Sequence, residues 1–96
     1  MRKPKRSEAR ILIYLAQVDR PYKYARAISN KLNIGYNYVL SLVSFMAFKG
    51  WIRAYRHRTK VFYEVVSKTQ LNKAKEMIAN ETKHNYKRIH NKQEPS

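Results

Sequence analysis

The side chains with the clearest chemical potential in this sequence are its cations. The chain has 96 residues, with 21 Lys and Arg against 6 Asp and Glu and a formal net charge of +15. No acid occurs between Asp19 and Glu64, an interval that holds nine Lys or Arg residues. A long acid-free segment attracts a polyanion, although a uniformly basic, solvated surface is the alternative explanation. The charge distribution favours a nucleic acid partner.

Other chemistries find little support in the residue types. The acids are scattered, and His57, His84 and His90 do not pair at metal-ligand spacing. The chain has only two glycines, so it has no glycine-rich phosphate loop, and it has no cysteine for a disulfide or a thiolate metal site. We therefore expect no enzyme activity, no metal site and no cofactor.

Two helices are predicted between Asp19 and Glu64, and they would position the cations of this acid-free segment. Ala25, Ile28 and Leu32 recur at helical spacing, and Asn33 tolerates the left-handed conformation that often follows a helix end. A second helix is predicted over 36–49, and Gly50 is a typical residue for ending it.

The predicted helix over 36–49 has two different sides. Val39, Val43 and Met46 fall on one side of a helical wheel, whereas Asn37, Ser41 and Ser44 lie opposite. Small polar side chains on an apolar-backed helix suit docking in a nucleic-acid groove.

A basic hairpin is predicted to follow. Residues 51–56 pair with residues 61–66, and the connection His57-Arg58-Thr59-Lys60 forms its tip. Alternation places Val61, Tyr63 and Val65 on one face, and Phe62, Glu64 and Val66 on the other.

Together these elements resemble the winged helix-turn-helix of small DNA-binding regulators of the MarR-like and PadR-like type. The resemblance rests on the spacing of apolar residues and glycine, and it covers about half of the chain. Its members are Ala25, Ile28, Leu32, Ile34, Val39, Val43, Met46, Gly50 and Ile52, followed by the basic hairpin 56–65. One departure is that the second helix carries no Arg or Lys before Lys49, so the commonest guanine contact is missing from it.

The resemblance implies double-stranded DNA as partner, with the 36–49 helix in the major groove. The expected reading residues are Tyr36, Asn37, Tyr38, Ser41 and Ser44. The expected wing contacts are Arg53, Arg56, His57, Arg58, Thr59 and Lys60. The expected backbone contacts, from the N-terminal arm and the preceding helix, are Arg2, Lys3, Lys5, Arg6, Lys23 and Arg26.

Flanking segments complete the predicted domain. Residues 1–6 are expected to form a flexible basic arm, residues 7–90 the winged-helix domain, and residues 91–96 a disordered tail. A first helix is predicted from Ser7 to about Val18, and a last helix from Ser67, where Ser67 and Gln70 fit a capping box.

A homodimer is expected because the first helix is apolar on several sides and the last helix also needs a cover. The predicted interface residues are Leu12, Ile13, Leu71, Ala74 and Ile78. The alternative is a monomer in which the last helix folds back over the first.

The predicted fold class is α+β and mostly α: a winged helix-turn-helix of three helices, a two-stranded wing and a C-terminal helix. The longest apolar run is too short to span a bilayer, so a cytoplasmic, DNA-bound or nucleoid-associated protein without membrane contact is expected. The predicted function is a homodimeric transcription regulator that prefers particular sequences.

Three alternatives remain open at this point. A less specific chromatin or segregation role would use the same surfaces. A protein-assembly module is a different class, and Leu40, Phe45 and Phe48 on the second helix could serve it. RNA is the third, but the A-form major groove does not admit this helix, which would leave only the wing and arm for binding.

Overall fold

A computed structural model describes the backbone of residues 3–93 and the side chains of residues 3–81. The described elements are α1 (Arg6–Gln17), a 3-10 turn (Arg20–Tyr22), α2 (Ala25–Leu32), α3 (Tyr36–Phe48), β1 (Ile52–His57), β2 (Lys60–Val65) and α4 (Lys68–Gln93). These helices and the two-stranded antiparallel hairpin form a winged helix, which confirms the predicted fold class. None of the described helices is both long enough and apolar enough to cross a membrane.

Helix α1 begins one residue earlier than predicted. The backbone N–H of Lys5 donates a hydrogen bond to Glu8 Oε1 at 2.7 Å, so Lys5 occupies the N-cap position and Arg6 is the first helical residue. A carboxylate that reaches back from the first turn satisfies a backbone donor at the helix start and also suits the helix dipole. The arm boundary is corrected accordingly, because Arg6 is already helical and Pro4 is buried.

The hydrophobic core forms within a single chain. Helix α1 contributes Ile11, Leu12, Tyr14 and Leu15, all buried, and α4 packs along it with the fully buried Ala74. Arg6 Nε lies 2.7 Å from Glu81 Oε1 and joins the start of α1 to α4. The expectation that Leu12 and Ala74 meet a second subunit is therefore wrong, because α4 supplies the cover that the sequence seemed to lack.

The turn between α2 and α3 is built as predicted around Asn33. This residue has φ 57° and ψ 47°, in the left-handed region that asparagine tolerates. The Ser29 hydroxyl donates to the Ile34 carbonyl at 2.6 Å, and the Ser29 carbonyl accepts from Ile34 N–H at 3.1 Å. Arg10 also donates to the Leu32 carbonyl at 2.8 Å, so α1 holds the end of α2.

Gly50 ends α3 with a φ of +80°, a conformation that side chains rarely adopt. Trp51 follows and is buried, with its ring edge-on against Phe45 of α3. The backbone N–H of Trp51 donates to the Met46 carbonyl at 2.9 Å, and its backbone carbonyl accepts from the N–H of Val66 at 2.9 Å and of Ser67 at 3.0 Å. The turn after α3 is thereby fixed to the start of α4.

The hairpin has the predicted register, with Arg56 opposite Val61. Its tip is shorter than expected, because His57 and Lys60 also pair and leave a two-residue turn of Arg58 and Thr59. Arg58 has φ +58°, which is uncommon for a residue other than glycine. A tight turn thus holds an arginine in the left-handed conformation at the end of the wing.

Helix α4 starts as predicted, since the N–H of Gln70 donates to Ser67 Oγ at 3.2 Å. The helix then continues to Gln93, so three residues of the segment expected to be a tail are helical. Residues 1, 2 and 94–96 lie outside the described residues.

Candidate nucleic-acid interface

Helix α3 presents a polar face to solvent because its apolar face is anchored in the core. Val39, Val43 and Met46 are fully buried. Asn37, Ser41 and Ser44 are exposed on the other side, and Tyr38 beside them is 52% exposed. Four of the five predicted reading residues are therefore brought together on one accessible surface. The fifth, Tyr36, is half-buried.

Tyr36 is partly covered by a cation from α2. The Arg26 guanidinium lies over the Tyr36 ring, with Cζ 4.0 Å from the ring centroid. A cation over an aromatic face is attracted by the negative potential of the ring. This contact holds a positive charge beside the first turn of α3.

A second such pair ties the wing to the start of α2. Lys60 Nζ lies 4.2 Å from the ring centroid of Tyr24, the residue that precedes α2. Tyr24 also forms an isolated β-bridge with Phe62, and the N–H of Tyr63 donates to the Lys23 carbonyl at 2.8 Å. The wing therefore has a fixed position relative to α2 and α3.

Between these pairs lies an open cleft of about 470 Å³. Its lining combines aromatic rings with exposed cations, and none of the described residues that line it is an acid. The lining residues are Tyr24, Ala25, Arg26, Tyr36, Leu40, Thr59, Lys60, Val61 and Tyr63. Such a surface can bind an anionic backbone through its charges and its tyrosine hydroxyls.

The predicted wing residues are all exposed, but their charges are not equally free. Arg53 Nη2 donates to Glu64 Oε2 at 3.0 Å, and Arg20 Nη2 lies 3.7 Å from Glu64 Oε1. The charge of Arg53 is thus partly neutralised at the base of the wing. Arg56, His57, Arg58, Thr59 and Lys60 extend from there to the tip.

The predicted arm residues are not brought next to α3. Lys3 lies beside α4, near Lys73 and Glu76, and Arg6 pairs with Glu81 of the same helix. Lys5 is exposed, and Arg2 lies outside the described residues. Lys23 and Arg26, by contrast, occupy the predicted place at the start of α2.

Of the predicted dimer residues, Ile13, Leu71 and Ile78 remain half-buried in the single chain. Ile13 and Ile78 line a shallow hollow of about 240 Å³ together with Leu32, Tyr14 and Arg10. Leu12 and Ala74 are fully buried and cannot contact another chain.

Burial raises the pKa of two tyrosines. Tyr63, on the inner face of the wing, has its pKa raised chiefly by burial and secondarily by Tyr36. Tyr14, in α1, has its pKa raised by burial and then by Tyr24 and Tyr22, and its hydroxyl donates to the Tyr22 carbonyl at 2.8 Å. Both side chains are therefore neutral hydroxyls near pH 7.

Sequence reasoning missed the role of three aromatic residues. Tyr24 supports the wing, and Tyr55 and Phe62 face each other across the hairpin with ring centroids 5.8 Å apart. The register alone would have found the second pair, because it places Tyr55 opposite Phe62. No local pattern signals the Tyr24 contact. Among the described side chains, no cluster of three His, Asp or Glu residues could hold a metal ion.

Comparison with known proteins adds one structural likeness. No family model matches the chain, and no curated protein is similar enough to match it. A solved structure of a mutant of Lactococcus lactis ZitR is similar, with a TM-score of 0.69 and 23% sequence identity. The match covers 94% of this chain and 62% of the ZitR chain, so the chain spans less than two thirds of that protein. This likeness shows the winged-helix fold.

Proposed function

We propose that the chain is a sequence-preferring double-stranded DNA-binding protein, acting as a homodimeric transcription regulator. The observation that carries the proposal is the exposed polar face of α3 between the start of α2 and a basic wing. Helix α3 would enter the major groove, where Asn37 can pair with adenine, and the tyrosines and serines can contact bases or phosphates.

Charge supports the same partner. Arg26 and Lys60 stand on either side of the cleft, with Arg56 and Arg58 further out on the wing. Because α3 has no cation before its end, most of the affinity would come from the phosphate backbone and only part from the bases. We propose that the described arm residues, Lys3, Lys5 and Arg6, contribute less to phosphate binding than the wing does. Arg6, for example, is already paired with Glu81.

The dimer part of the proposal is revised to fit the single-chain core. Ile13, Leu71 and Ile78 would form the interface, supported by the hollow between α1, α2 and α4, where Ile13, Leu32 and Ile78 are rimmed by Arg10, Gln17 and Lys31. A two-fold dimer would present two reading helices about one DNA turn apart and so favour a palindromic site.

The decisive experiment is selection from random duplex DNA, followed by affinity measurement at several salt concentrations. We expect an enriched motif and a log–log slope of about −5 to −7, which corresponds to roughly 5–8 neutralised phosphates per dimer. A flat salt response would remove the electrostatic basis of the proposal. Equal affinity for all sequences at every salt concentration would instead favour the chromatin or segregation role.

A protein-assembly role is the second candidate, and one observation favours it. Phe48, at the end of α3, is 84% exposed, and an exposed aromatic residue is a common anchor in protein interfaces. Phe45 is not free in this way, because it packs edge-on against Trp51 with ring centroids 5.9 Å apart. If Phe48→Ala left duplex affinity intact while abolishing a protein complex, assembly would be the better description.

A further inference from the structure

The hairpin has a second face, of which the proposed duplex contact uses only Lys60. The register places three cross-strand pairs on this face, which we call the outer wing face: Arg53 with Glu64, Tyr55 with Phe62, and His57 with Lys60. An open cavity of about 320 Å³ lies against it, bounded by Arg20 and Pro21 of the 3-10 turn together with Tyr55, His57 and Phe62.

The aromatic residues of the outer wing face form a layered group. Tyr55 and Phe62 are stacked, with ring centroids 5.8 Å apart and planes 25° apart. His57 tilts against Phe62 at 6.5 Å, and Tyr24 supports Phe62 edge-on at 6.0 Å. Tyr55 and Phe62 are only half-buried, so flat apolar surface is still accessible. The Tyr55 hydroxyl is buried and has no hydrogen-bond partner among the described residues.

The charges around these rings select the kind of ligand. Arg20 and Arg53 border the group and both pair with Glu64, and Lys60 holds its ammonium over the ring of Tyr24. Among the described residues, three cations therefore stand against one carboxylate here. Flat aromatic surface with flanking cations fits a ligand that is itself flat, aromatic and anionic. An unpaired nucleotide has this combination, because its base stacks and its phosphate pairs with cations. Duplex DNA does not fit in this way, since its bases are already stacked inside the helix.

We propose that the outer wing face binds an unpaired nucleotide of single-stranded DNA, with the base stacked on the Tyr55–Phe62 pair and the phosphates near Arg20 and Lys60. The inference rests on the proposed function only in taking DNA as the partner. The wing then serves two DNA forms, with duplex on its inner side toward α3 and a single strand on its outer face.

The test compares a thymidine oligonucleotide of about ten residues with the same strand carrying abasic sites, which keep the phosphates and lack the bases. Fluorescence anisotropy with the full chain should show that the abasic strand binds about 5- to 100-fold more weakly. Phe62→Leu should lower affinity for the intact strand by a similar factor, whereas Phe62→Trp should preserve it. Duplex affinity, measured in parallel, should change much less with Phe62→Leu, because the backbone bridge to Tyr24 and the Tyr63–Lys23 hydrogen bond still hold the wing.

Phe48→Leu is the matched control, because Phe48 is an exposed phenylalanine that lies outside the outer wing face. It should leave single-strand affinity unchanged.

Equal binding of the abasic and intact strands would overturn the proposal even if Phe62→Leu failed to fold, because that comparison uses the unaltered protein. Binding confined to RNA would overturn the assignment to DNA. Duplex binding without any single-strand binding would defeat this inference alone, and base-dependent single-strand binding without duplex binding would defeat the proposed function alone.

Discussion

At the scale of single residues, Asn37 is the side chain on which sequence preference should depend most. It is exposed in the first turn of α3, and its amide can both donate to and accept from an adenine edge. Asn37→Ala should reduce discrimination at one base-pair position by about 1–3 kcal/mol, as measured by competition with single-site variants of the selected motif. Asn72→Ala, an exposed asparagine on α4, is the control and should leave discrimination unchanged. A uniform loss across all sequences would contradict a reading role for Asn37.

Substitution of Arg58 should have opposite effects on folding stability and on DNA affinity. Its backbone is in the left-handed region with φ +58°, and its side chain is a proposed phosphate contact. Arg58→Gly removes the steric cost of that conformation, so the free energy of unfolding should rise by up to about 1 kcal/mol in urea titrations. Duplex affinity should fall for all sequences, and the magnitude of the salt slope should decrease by about 2, because one phosphate contact is lost in each subunit of the dimer. Thr59→Gly is the matched control and should destabilise the hairpin, since Thr59 lacks a positive φ. Lower stability of Arg58→Gly would show that the conformation carries no strain.

At the scale of elements, the sequence predicted what depends on local patterns. The helix-turn-helix follows from apolar spacing and from Asn33, and the wing register follows from alternation along both strands. The tip was placed too long, because a two-residue turn normally favours glycine or asparagine and this one holds Arg58. The bridge between Tyr24 and Phe62 joins residues far apart in sequence, so no periodic pattern could indicate it.

The contact between α1 and the 3-10 turn predicts a pH effect. Tyr14 donates to the Tyr22 carbonyl, and burial raises the pKa of Tyr14 above its ordinary value of 10.0. The unfolded chain therefore loses this proton at lower pH than the folded one, so the contribution to stability is present below pH 10.0 and is lost as pH rises above it. Tyr14→Phe should cost about 0.5–1.5 kcal/mol at neutral pH and make the alkaline decline less steep.

The measurement is urea unfolding across neutral and alkaline pH. Tyr38→Phe is the control, because Tyr38 is exposed on α3 and no hydrogen bond to a described residue is at stake. Parallel curves for the unaltered chain and Tyr14→Phe at alkaline pH would contradict the role given to Tyr14 burial.

At the scale of the whole molecule, α4 decides how the apolar surface is covered. An apolar stripe has the same sequence whether it packs within one chain or between two, so the sequence could not tell which partner α1 meets. The structure resolves this for Leu12 and Ala74, which are covered inside the chain. It leaves Ile13, Leu71 and Ile78 half-buried as the surface available to a second copy.

This surface gives the dimer a direct test. Ile13→Glu should yield a folded particle of one-chain mass by light scattering at micromolar concentration. Its duplex binding should be weaker, because the two copies of α3 are no longer linked in one particle. Leu12→Glu should instead unfold the chain, since it buries an unpaired charge. Ala16→Glu, at an exposed position of the same helix outside the hollow, controls for the added charge. One-chain mass for the unaltered protein would exclude the dimer.

The position of Trp51 has an optical consequence. It is the only tryptophan of the chain and is 1% exposed, and its backbone hydrogen bonds connect Met46 of α3 with Val66 and Ser67, the residues between the wing and α4. Its fluorescence emission therefore reports, without an attached dye, whether the contacts among these three elements are intact. A variant that keeps the emission of the folded chain but no longer binds DNA has lost a surface contact. A variant whose emission shifts toward that of tryptophan in water has lost the packing around Trp51. Its weaker DNA binding is then explained by the altered fold and gives no information about surface contacts.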